Sequence, residues 1–432
     1  MSIATARPRA LIMALLMAVM VISVLDKTIF AFAGVQIIEE LQLTPEQFGF
    51  VGSAFFFLYS ISGIAVGFLA NRYPTRWILT LMALVWTSAQ LLVTFAGSLA
   101  ALTASRLLLG AGCGPGTAVT QHAAFKWFGT REQVLPASLI QVSIMLGGLL
   151  GALALPYAIS HYGWRSAYLS LALLSLGWVL AWLCYGAEGR HGEQPEQVPP
   201  SEPAISYRHL LLNRTFVWIS LMCFVAYLPN ALSFSWSAVY LQKGLGLDPM
   251  QTGYVMFAAT FSIILLNLLV SGLSQRLLKR GVSVQHSLVL LPMLCCMFGG
   301  LALSTLGSVF NALEAKLLLY VAGAVLLNSV FAFGMTITSY ISPTRQRGAM
   351  LAIHVGCMTL SGMLAPWLVG KLVVLFDNDI AQGFETALNG IGLTALACAL
   401  LGLWVITPGV TRERLLARGH DTLPNPAPAQ AA

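Results

Sequence analysis

"VISVLDKTIFAFAG", residues 21–34, lies within a long apolar run and carries two adjacent charges, Asp26 and Lys27. A charged side chain at the centre of a membrane-spanning helix costs about 3 kcal/mol on insertion scales. Charges in such positions are rare and usually functional, so we expect both residues to serve the activity of this protein. Their partners must lie at the same depth elsewhere in the chain.

The composition of the chain points to a lipid environment. Of its 432 residues, 57% are hydrophobic and only 9% are charged, whereas a soluble domain carries about 25% charged residues. The net charge of +7 does not indicate nucleic acid, because the basic residues lie in short connections between apolar runs. The seven cysteines lie in apolar runs without metal-ligand spacing, so we expect packing residues and predict no metal and no cofactor.

Apolar runs of about 20 residues, long enough to cross a bilayer, recur along the chain. They lie near residues 10–33, 47–70, 77–96, 98–121, 135–158, 166–186, 215–240, 250–274, 284–307, 316–341, 348–374 and 385–407. We therefore predict an all-α membrane protein with twelve transmembrane helices in two six-helix halves. The predicted parts are a bundle over 1–186, a cytoplasmic linker over 187–214, a bundle over 215–407 and a disordered cytoplasmic tail over 408–432.

The distribution of lysine and arginine predicts the orientation in the membrane. Of the 23 basic residues, Lys27 and Arg106 lie within spans, and nearly all the others lie on the side of the termini and the linker. Those on the opposite side are Arg165, Lys243, Lys316 and Lys371. Because cytoplasmic loops carry the excess of basic residues, both termini are predicted to face the cytoplasm.

The two halves resemble each other in sequence. "GFLANRYPTRW" (67–77) follows the second span, and "SGLSQRLLKRG" (271–281) follows the second span of the second half. Duplicated six-helix halves are typical of secondary transporters, whose substrate site lies near the midplane between the repeats.

These features resemble the major facilitator superfamily over residues 10–407. The resemblance rests on the two six-helix halves, the loop after span 2 and "RLLLGAGCGP" (106–115) in span 4. Within that superfamily, "LDK" of span 1, "SAFFFLY" (53–59) and the arginine of span 4 resemble the anion:cation symporters. The resemblance implies transport of galactonate, glucarate, hexuronates or aromatic carboxylates.

Asp26 and Arg106 are predicted to lie at one level of the membrane. At 1.5 Å per residue, Asp26 lies about 10 Å and Arg106 about 12 Å from the outer ends of their spans. By our count Asp26 is the only acidic residue within a span. Adjacent residues on a helix point about 100° apart, so Asp26 cannot simply neutralise Lys27. We expect Asp26 beside Arg106 in one state and Lys27 toward the cavity, a balance that favours an anion.

This arrangement gives a mechanism for coupling a proton to an anion. If a substrate carboxylate takes over Arg106, Asp26 loses its counter-charge and binds a proton more readily. Proton and anion then favour each other's binding reciprocally. The alternative is a permanent Asp26–Arg106 ion pair that only packs spans 1 and 4, which would leave Lys27 unexplained.

Two positions depart from the pattern of the resembling family. The family often has a coupling glutamate seven residues after the span 4 arginine, where this chain has Cys113. A single carboxylate implies one proton per cycle or no coupling. After span 2, the usual aspartate is Asn71 and its counterpart is Gln275, which predicts a weaker cytoplasmic salt-bridge latch.

Further side chains are candidate substrate contacts. They are polar or aromatic residues of spans 2, 7 and 10, namely Tyr59, Tyr227, Asn230, Trp236, Asn328 and Thr336. Tyr59 lies near the midplane, and span 7 is interrupted by a proline, as helices lining transporter sites often are. Asn230 and Trp236 are equally consistent with packing. His354 in span 11 is a candidate gate or proton relay, or a hydrogen-bonded packing residue.

We predict an inner-membrane secondary transporter that imports a small organic anion with a proton, as a monomer. A proton-independent facilitator or an exporter is the first alternative, because span 4 lacks the second carboxylate. An intramembrane enzyme needs a nucleophile with a base or clustered metal ligands, and a sensor needs a soluble output domain. The sequence offers none of these.

Overall fold

The computed structural model describes residues 9–69, 73–128, 132–189, 205–309 and 311–421, and these residues are almost wholly helical. The α-helices, in chain order, are α1 (Arg9–Glu40), α2 (Pro45–Leu69), α3 (Thr75–Thr94), α4 (Leu99–Cys113), α5 (Gly116–Phe125), α6 (Val134–Tyr162), α7 (Trp164–Tyr185), α8 (Tyr207–Leu211), α9 (Arg214–Leu232), α10 (Trp236–Val239), α11 (Pro249–Lys279), α12 (Leu291–Ser304), α13 (Leu313–Asn328), α14 (Val330–Ile341), α15 (Arg347–Leu375), α16 (Ile380–Val405) and α17 (Pro408–Asp421). Two π-helical segments, Tyr240–Gly244 and Gln285–Leu290, adjoin α10 and α12.

The predicted twelve-helix architecture in two halves is confirmed. Eleven helical segments of the described chain are each long and apolar enough to cross a membrane. The remaining crossing, span 4, consists of α4 and α5, which are separated at Pro115. Proline lacks an N–H and its ring clashes with the preceding turn, so the span breaks there.

Span 7 is interrupted, whereas span 10 continues with helical backbone angles. In span 7, Pro229 lies within α9, the helix ends at Leu232, and α10 begins at Trp236. In span 10, Ser329 lies between α13 and α14 with a φ of −56° and a ψ of −31°, which are helical values. The predicted interruption of span 7 is confirmed. Interrupted helices of this kind often line the substrate sites of transporters.

An even number of crossings in each half places the start of α1, the linker and α17 on one side of the bundle, here called the linker face. The opposite face carries the loop between α1 and α2. The four basic residues predicted for that opposite face all form ion pairs there, namely Arg165–Glu40, Lys243–Glu39, Lys316–Glu385 and Lys371–Glu46.

The two halves are closed against each other at the face opposite the linker. Two of the ion pairs, Lys243–Glu39 and Lys371–Glu46, join one half to the other. At Gly49 of α2, a Cβ atom would lie 2.3 Å from the Pro366 carbonyl oxygen of α15, so only glycine permits this approach. In this conformation the described residues of the two halves therefore meet directly on this side.

In the first half, the linker face is held together by hydrogen bonds to Glu188. This side chain accepts hydrogen bonds from the backbone N–H groups of Thr75 and Arg76, each over 3.0 Å, and from Lys126 Nζ over 2.5 Å. Burial raises the pKa of Glu188, but these hydrogen bonds outweigh it and hold the pKa below its ordinary value. The start of the linker is thereby anchored to α3 and to the end of α5.

The predicted disordered tail over 408–432 is wrong for its first part. Residues 408–421 form α17, whose Leu415 is buried with Ile341 and Met350 in a small second core. The Pro- and Ala-rich remainder, 422–432, lies outside the described residues. The linker likewise contains the short helix α8, while its centre and Asn71 lie outside the described residues. Gln275 is described and exposed.

Candidate functional site

Asp26 is fully buried in α1, where Gln90 of α3 contacts it. Its exposed fraction is 0%, and Gln90 Nε2 donates a hydrogen bond to Asp26 Oδ1 over 2.7 Å. Within the described residues, Asp26 Oδ2 has no hydrogen-bond partner, so this oxygen can accept a proton. Gln90 was not predicted from the sequence, although a glutamine in the middle of the apolar span 3 is an available signal.

Arg106 is a buried cation that no described side chain neutralises. Only 1% of its surface is exposed, and its guanidinium lies between two rings, 4.4 Å from the centroid of Phe30 and 4.8 Å from that of Phe55. None of its three guanidinium nitrogens has a hydrogen-bond partner in the described chain. Burying a charge without a partner costs several kcal/mol of free energy. An anion that binds the guanidinium could recover about as much.

Asp26 and Arg106 form no ion pair among the described residues, so the arrangement expected for one state is not the arrangement of this conformation. The reason is local. Phe30 lies one helical turn after Asp26 on the same face of α1, and its ring covers the Arg106 guanidinium. Gln90 is hydrogen-bonded to the Asp26 carboxylate. A permanent pair that only packs the two spans is therefore not what this structure contains.

The two charges nevertheless share neighbours, as the predicted common depth requires. Cys113 is 2% exposed and lies close enough to interact electrostatically with Lys27, Asp26 and Arg106. Tyr168 of α7 is buried near both Asp26 and Arg106, and its hydroxyl has no partner in the described chain. Tyr168 was not predicted from the sequence, because nothing in the sequence of span 6 distinguishes it from a packing tyrosine.

Arg106 is held in place by the close packing of α4 on α2. A Cβ atom at Gly110 would lie 2.1 Å from the Phe55 carbonyl oxygen, and one at Gly114 would lie 2.2 Å from that of Tyr59. These two glycines therefore form an interhelical contact that requires glycine. It brings the Phe55 ring against the guanidinium and fixes Tyr59 nearby.

An aromatic path, formed by Tyr59, Phe56, Tyr227 and Phe331, leads from Lys27 to the second half. Lys27 is half-buried with its Nζ 6.0 Å from the centre of the Tyr59 ring. Phe56 lies 6.3 Å from Tyr59 and 6.1 Å from Tyr227 between ring centroids, and Tyr227 lies 5.8 Å from Phe331. Tyr59 and Tyr227, one from each half, are thus brought to a common region.

The remaining candidates of span 7 differ in position. Asn230 is half-buried. Trp236 is fully buried, donates its indole N–H to the Pro366 carbonyl over 2.9 Å and packs edge-on against Phe48. This environment favours the packing alternative for Trp236, because its one polar group is already bonded and its ring lies between the halves. Its substrate contact stays a prediction.

The candidates of spans 10 and 11 lie apart from Arg106. Asn328 accepts a hydrogen bond from Asn267 over 3.2 Å, whereas Thr336 is exposed and lines a cavity at the linker face. His354 is fully buried with its Nδ1 2.9 Å from the hydroxyl oxygen of Ser220. This environment favours the packing alternative for His354, and its relay role stays a prediction.

A second buried carboxylate corrects the count of charges within spans. Glu385 is the sixth residue of α16, 7% exposed, and accepts hydrogen bonds from Tyr240 over 2.9 Å and from Lys316 over 2.8 Å. Asp26 is therefore not the only acidic residue in a span. Glu385 lies at the predicted start of span 12, where hydropathy alone predicts a water-exposed carboxylate. The bonds from Tyr240 and Lys316 to Glu385 connect span 12 to spans 7 and 10.

Replacing Glu385 with glutamine is expected to destabilise the protein by about 3–5 kcal/mol, because the nearly buried Lys316 would lose its counter-ion. The matched control is Glu46→Gln, which breaks the exposed pair with Lys371 and is expected to cost about 1 kcal/mol or less. Thermal unfolding of both variants in detergent checks this. Equal losses of stability would contradict a structural role for the buried pair.

Within the described ranges no group of three or more histidine, cysteine, aspartate or glutamate residues could hold a metal ion. The described features are two halves of six crossings, interrupted helices near the midplane and buried charges in the first half. Together they define a membrane transporter.

Comparison with known proteins gives the family. The family model described as Major Facilitator Superfamily matches residues 16–324, and the chain belongs to this superfamily. A bacterial homologue of the human lysosomal transporter Spinster has a similar structure, with a TM-score of 0.77 at 16% identity over 97% of this chain and 99% of that one. A D-xylose–proton symporter gives a TM-score of 0.73 at 15% identity, covering 93% and 99% of the two chains.

Two relatives with curated descriptions are transporters of anions. The "Probable sulfoacetate transporter SauU" of Cupriavidus necator is 24% identical over 90% of this chain and 93% of its own length. The hexuronate transporter of Bacillus subtilis is 23% identical over 71% of this chain and 76% of its own length.

Proposed function

We propose that this protein imports a small organic anion together with a proton by alternating access. The observation that carries the proposal is Arg106, whose buried guanidinium has no partner within the described residues. A carboxylate or sulfonate that reaches it gains charge-assisted hydrogen bonds in a low-dielectric site. The relatives that carry sulfoacetate and hexuronate support an anionic substrate.

Asp26 is the proposed proton site, and Lys27 and Tyr59 are the proposed further contacts of the anion. Asp26, Lys27 and Arg106 all lie near Cys113. With Asp26 charged, the three charges sum to one positive charge, and protonation of Asp26 leaves two. A protonated Asp26 therefore favours anion binding, and a bound anion favours the protonated form to the same extent. The inward proton gradient then makes uptake the natural direction.

On the second half, the proposed substrate contacts are Tyr227, Asn230, Asn328 and Thr336. Tyr227 is the best supported of these, because the aromatic path of Phe56 and Tyr59 leads to it. The Asn328 carbonyl oxygen and the Thr336 hydroxyl each already take part in a hydrogen bond. Because these side chains offer few free hydrogen-bonding groups, they favour a carboxylate with few hydroxyls over a sugar acid.

Uptake into proteoliposomes tests the proposal. We expect labelled sulfoacetate, benzoate or a hexuronate to accumulate when the lumen is alkaline, and only to equilibrate when no pH gradient is imposed. Accumulation that ignores the pH gradient would contradict proton symport while leaving transport itself intact.

A facilitator or an exporter is the second candidate function. The observation that favours it is Cys113, a buried thiol near Arg106 where the resembling family often has a carboxylate. A single membrane carboxylate on this half limits coupling to one proton per cycle.

Because the chain belongs to this superfamily and is similar to a bacterial relative, we propose that it lies in the bacterial inner membrane. We also propose that both termini are cytoplasmic and that the protein is a monomer.

A further inference from the structure

A cavity of about 510 Å³ opens at the linker face of the second half, away from Asp26 and Arg106. It is lined by Met335, Thr336, Ser339 and Tyr340 of α14, Arg347 and Leu351 of α15, and Arg412 of α17. Two arginines and three hydroxyl groups thus surround one space, and no acidic side chain belongs to this lining. The transport mechanism proposed above uses Thr336 of this lining but neither of the two arginines.

The two arginines have no counter-ion in the described part of the chain. The ion pairs found there involve other basic residues, and both Arg347 and Arg412 are exposed. Like charges that converge on one cavity repel each other unless an anion lies between them. The cavity is therefore electrostatically suited to a negatively charged group.

Arg347 is held at the cavity by its neighbour in sequence. The Gln346 side chain accepts a hydrogen bond from the Ile205 N–H over 3.0 Å and donates one to the Ile205 carbonyl over 2.6 Å. Gln346 is 8% exposed, so this pair of bonds ties the start of α15 to the end of the linker. Arg347 is the first residue of α15, whose free backbone N–H groups also favour an anion.

Arg412 is positioned by a comparable contact on the other side of the cavity. The hydroxyls of Thr411 and Thr215 are hydrogen-bonded over 2.7 Å, which ties α17 to the start of α9. The Arg412 guanidinium lies 4.8 Å from the centre of the Tyr340 ring, an arrangement that orients its planar donors. Both arginines are thus attached to fixed points of the fold.

We propose that this cavity binds a phosphate group, and specifically the headgroup of an anionic glycerophospholipid. Two guanidinium groups and several hydroxyls match the many acceptor oxygens of a phosphate. Met335 and Leu351 add apolar surface on which the glycerol and the first acyl carbons can pack. Basic pockets between transmembrane helices are a recurrent way of holding such headgroups.

The test uses the full-length protein in detergent, with phosphatidylglycerol, phosphatidylcholine or inorganic phosphate added as probes. At a concentration near 100 times its Kd, phosphatidylglycerol is expected to raise the Tm of the native protein by about 4 °C. The double variant Arg347→Gln/Arg412→Gln is expected to lose this shift. The matched control, Arg345→Gln/Arg414→Gln, removes two exposed arginines outside the cavity and is expected to retain it.

The remaining arms identify the source of the phosphate. A shift with inorganic phosphate that depends on the same two arginines would confirm a phosphate site and assign it to free phosphate instead of lipid. An equal shift with phosphatidylcholine would overturn the proposal, because bulk lipid would then explain it. An unchanged shift in the Arg347→Gln/Arg412→Gln variant, with an unaltered Tm before lipid is added, would overturn it as well.

Discussion

Replacing Arg106 with glutamine is expected to abolish the stabilisation that a transported anion gives to the native protein. Removing one partner of a buried charged pair costs about 2–5 kcal/mol of binding free energy, so affinity should fall at least about 30-fold. A thermal-shift screen with sulfoacetate, benzoate and a hexuronate, run on both proteins, measures this directly. Arg106→Lys is expected to recover only part of the affinity, because lysine cannot form the bidentate contact.

The Arg106 variant separates binding from folding. In the absence of ligand its Tm should equal or exceed that of the native protein, because a buried cation without a partner has been removed. The matched control is Arg165→Gln, which breaks the exposed pair with Glu40 at the face opposite the linker. Ligand stabilisation that survives in Arg106→Gln would remove Arg106 from the binding role.

The second large effect concerns Asp26. We expect Asp26→Asn to equilibrate the anion across proteoliposomes but not to concentrate it, because asparagine cannot exchange a proton. Exchange of labelled for unlabelled anion should persist within a few-fold of the native rate, since the Gln90 side chain can still hydrogen-bond the asparagine. Uptake driven by a pH gradient and exchange without one are measured side by side.

A suitable control for Asp26→Asn is Glu413→Gln, an exposed acid on α17. This control should behave as the native protein in both assays. If Asp26→Asn still accumulates anion against its gradient, another group carries the proton. If it loses exchange as well, Asp26 acts in anion binding or folding and not in coupling alone.

Hydropathy and the proline positions were sufficient to predict most of the fold. The twelve crossings and the interruption of span 7 were both predicted, because each follows from local chemistry. The α17 helix was not predicted, since its stability comes from Leu415 packing into a core built by distant segments. Composition alone does not reveal that contact.

The site was predicted less completely, for a geometric reason. Counting residues along a span gives the depth of Asp26 and Arg106 but not the direction in which each side chain points. That direction decides that Gln90 contacts Asp26 and that Phe30 covers Arg106. Glu385 was missed because a shift of one turn in a predicted span boundary moves a carboxylate from water into the bundle.

The most direct test of the central claim measures proton movement itself. Proteoliposomes containing a pH-sensitive dye are given an inward gradient of the anion with no initial pH gradient and with the membrane potential clamped. The native protein is expected to acidify the lumen as anion enters, by about one proton per anion, and Asp26→Asn is expected not to. Anion entry without acidification by the native protein, or equal acidification by Asp26→Asn, would contradict the account.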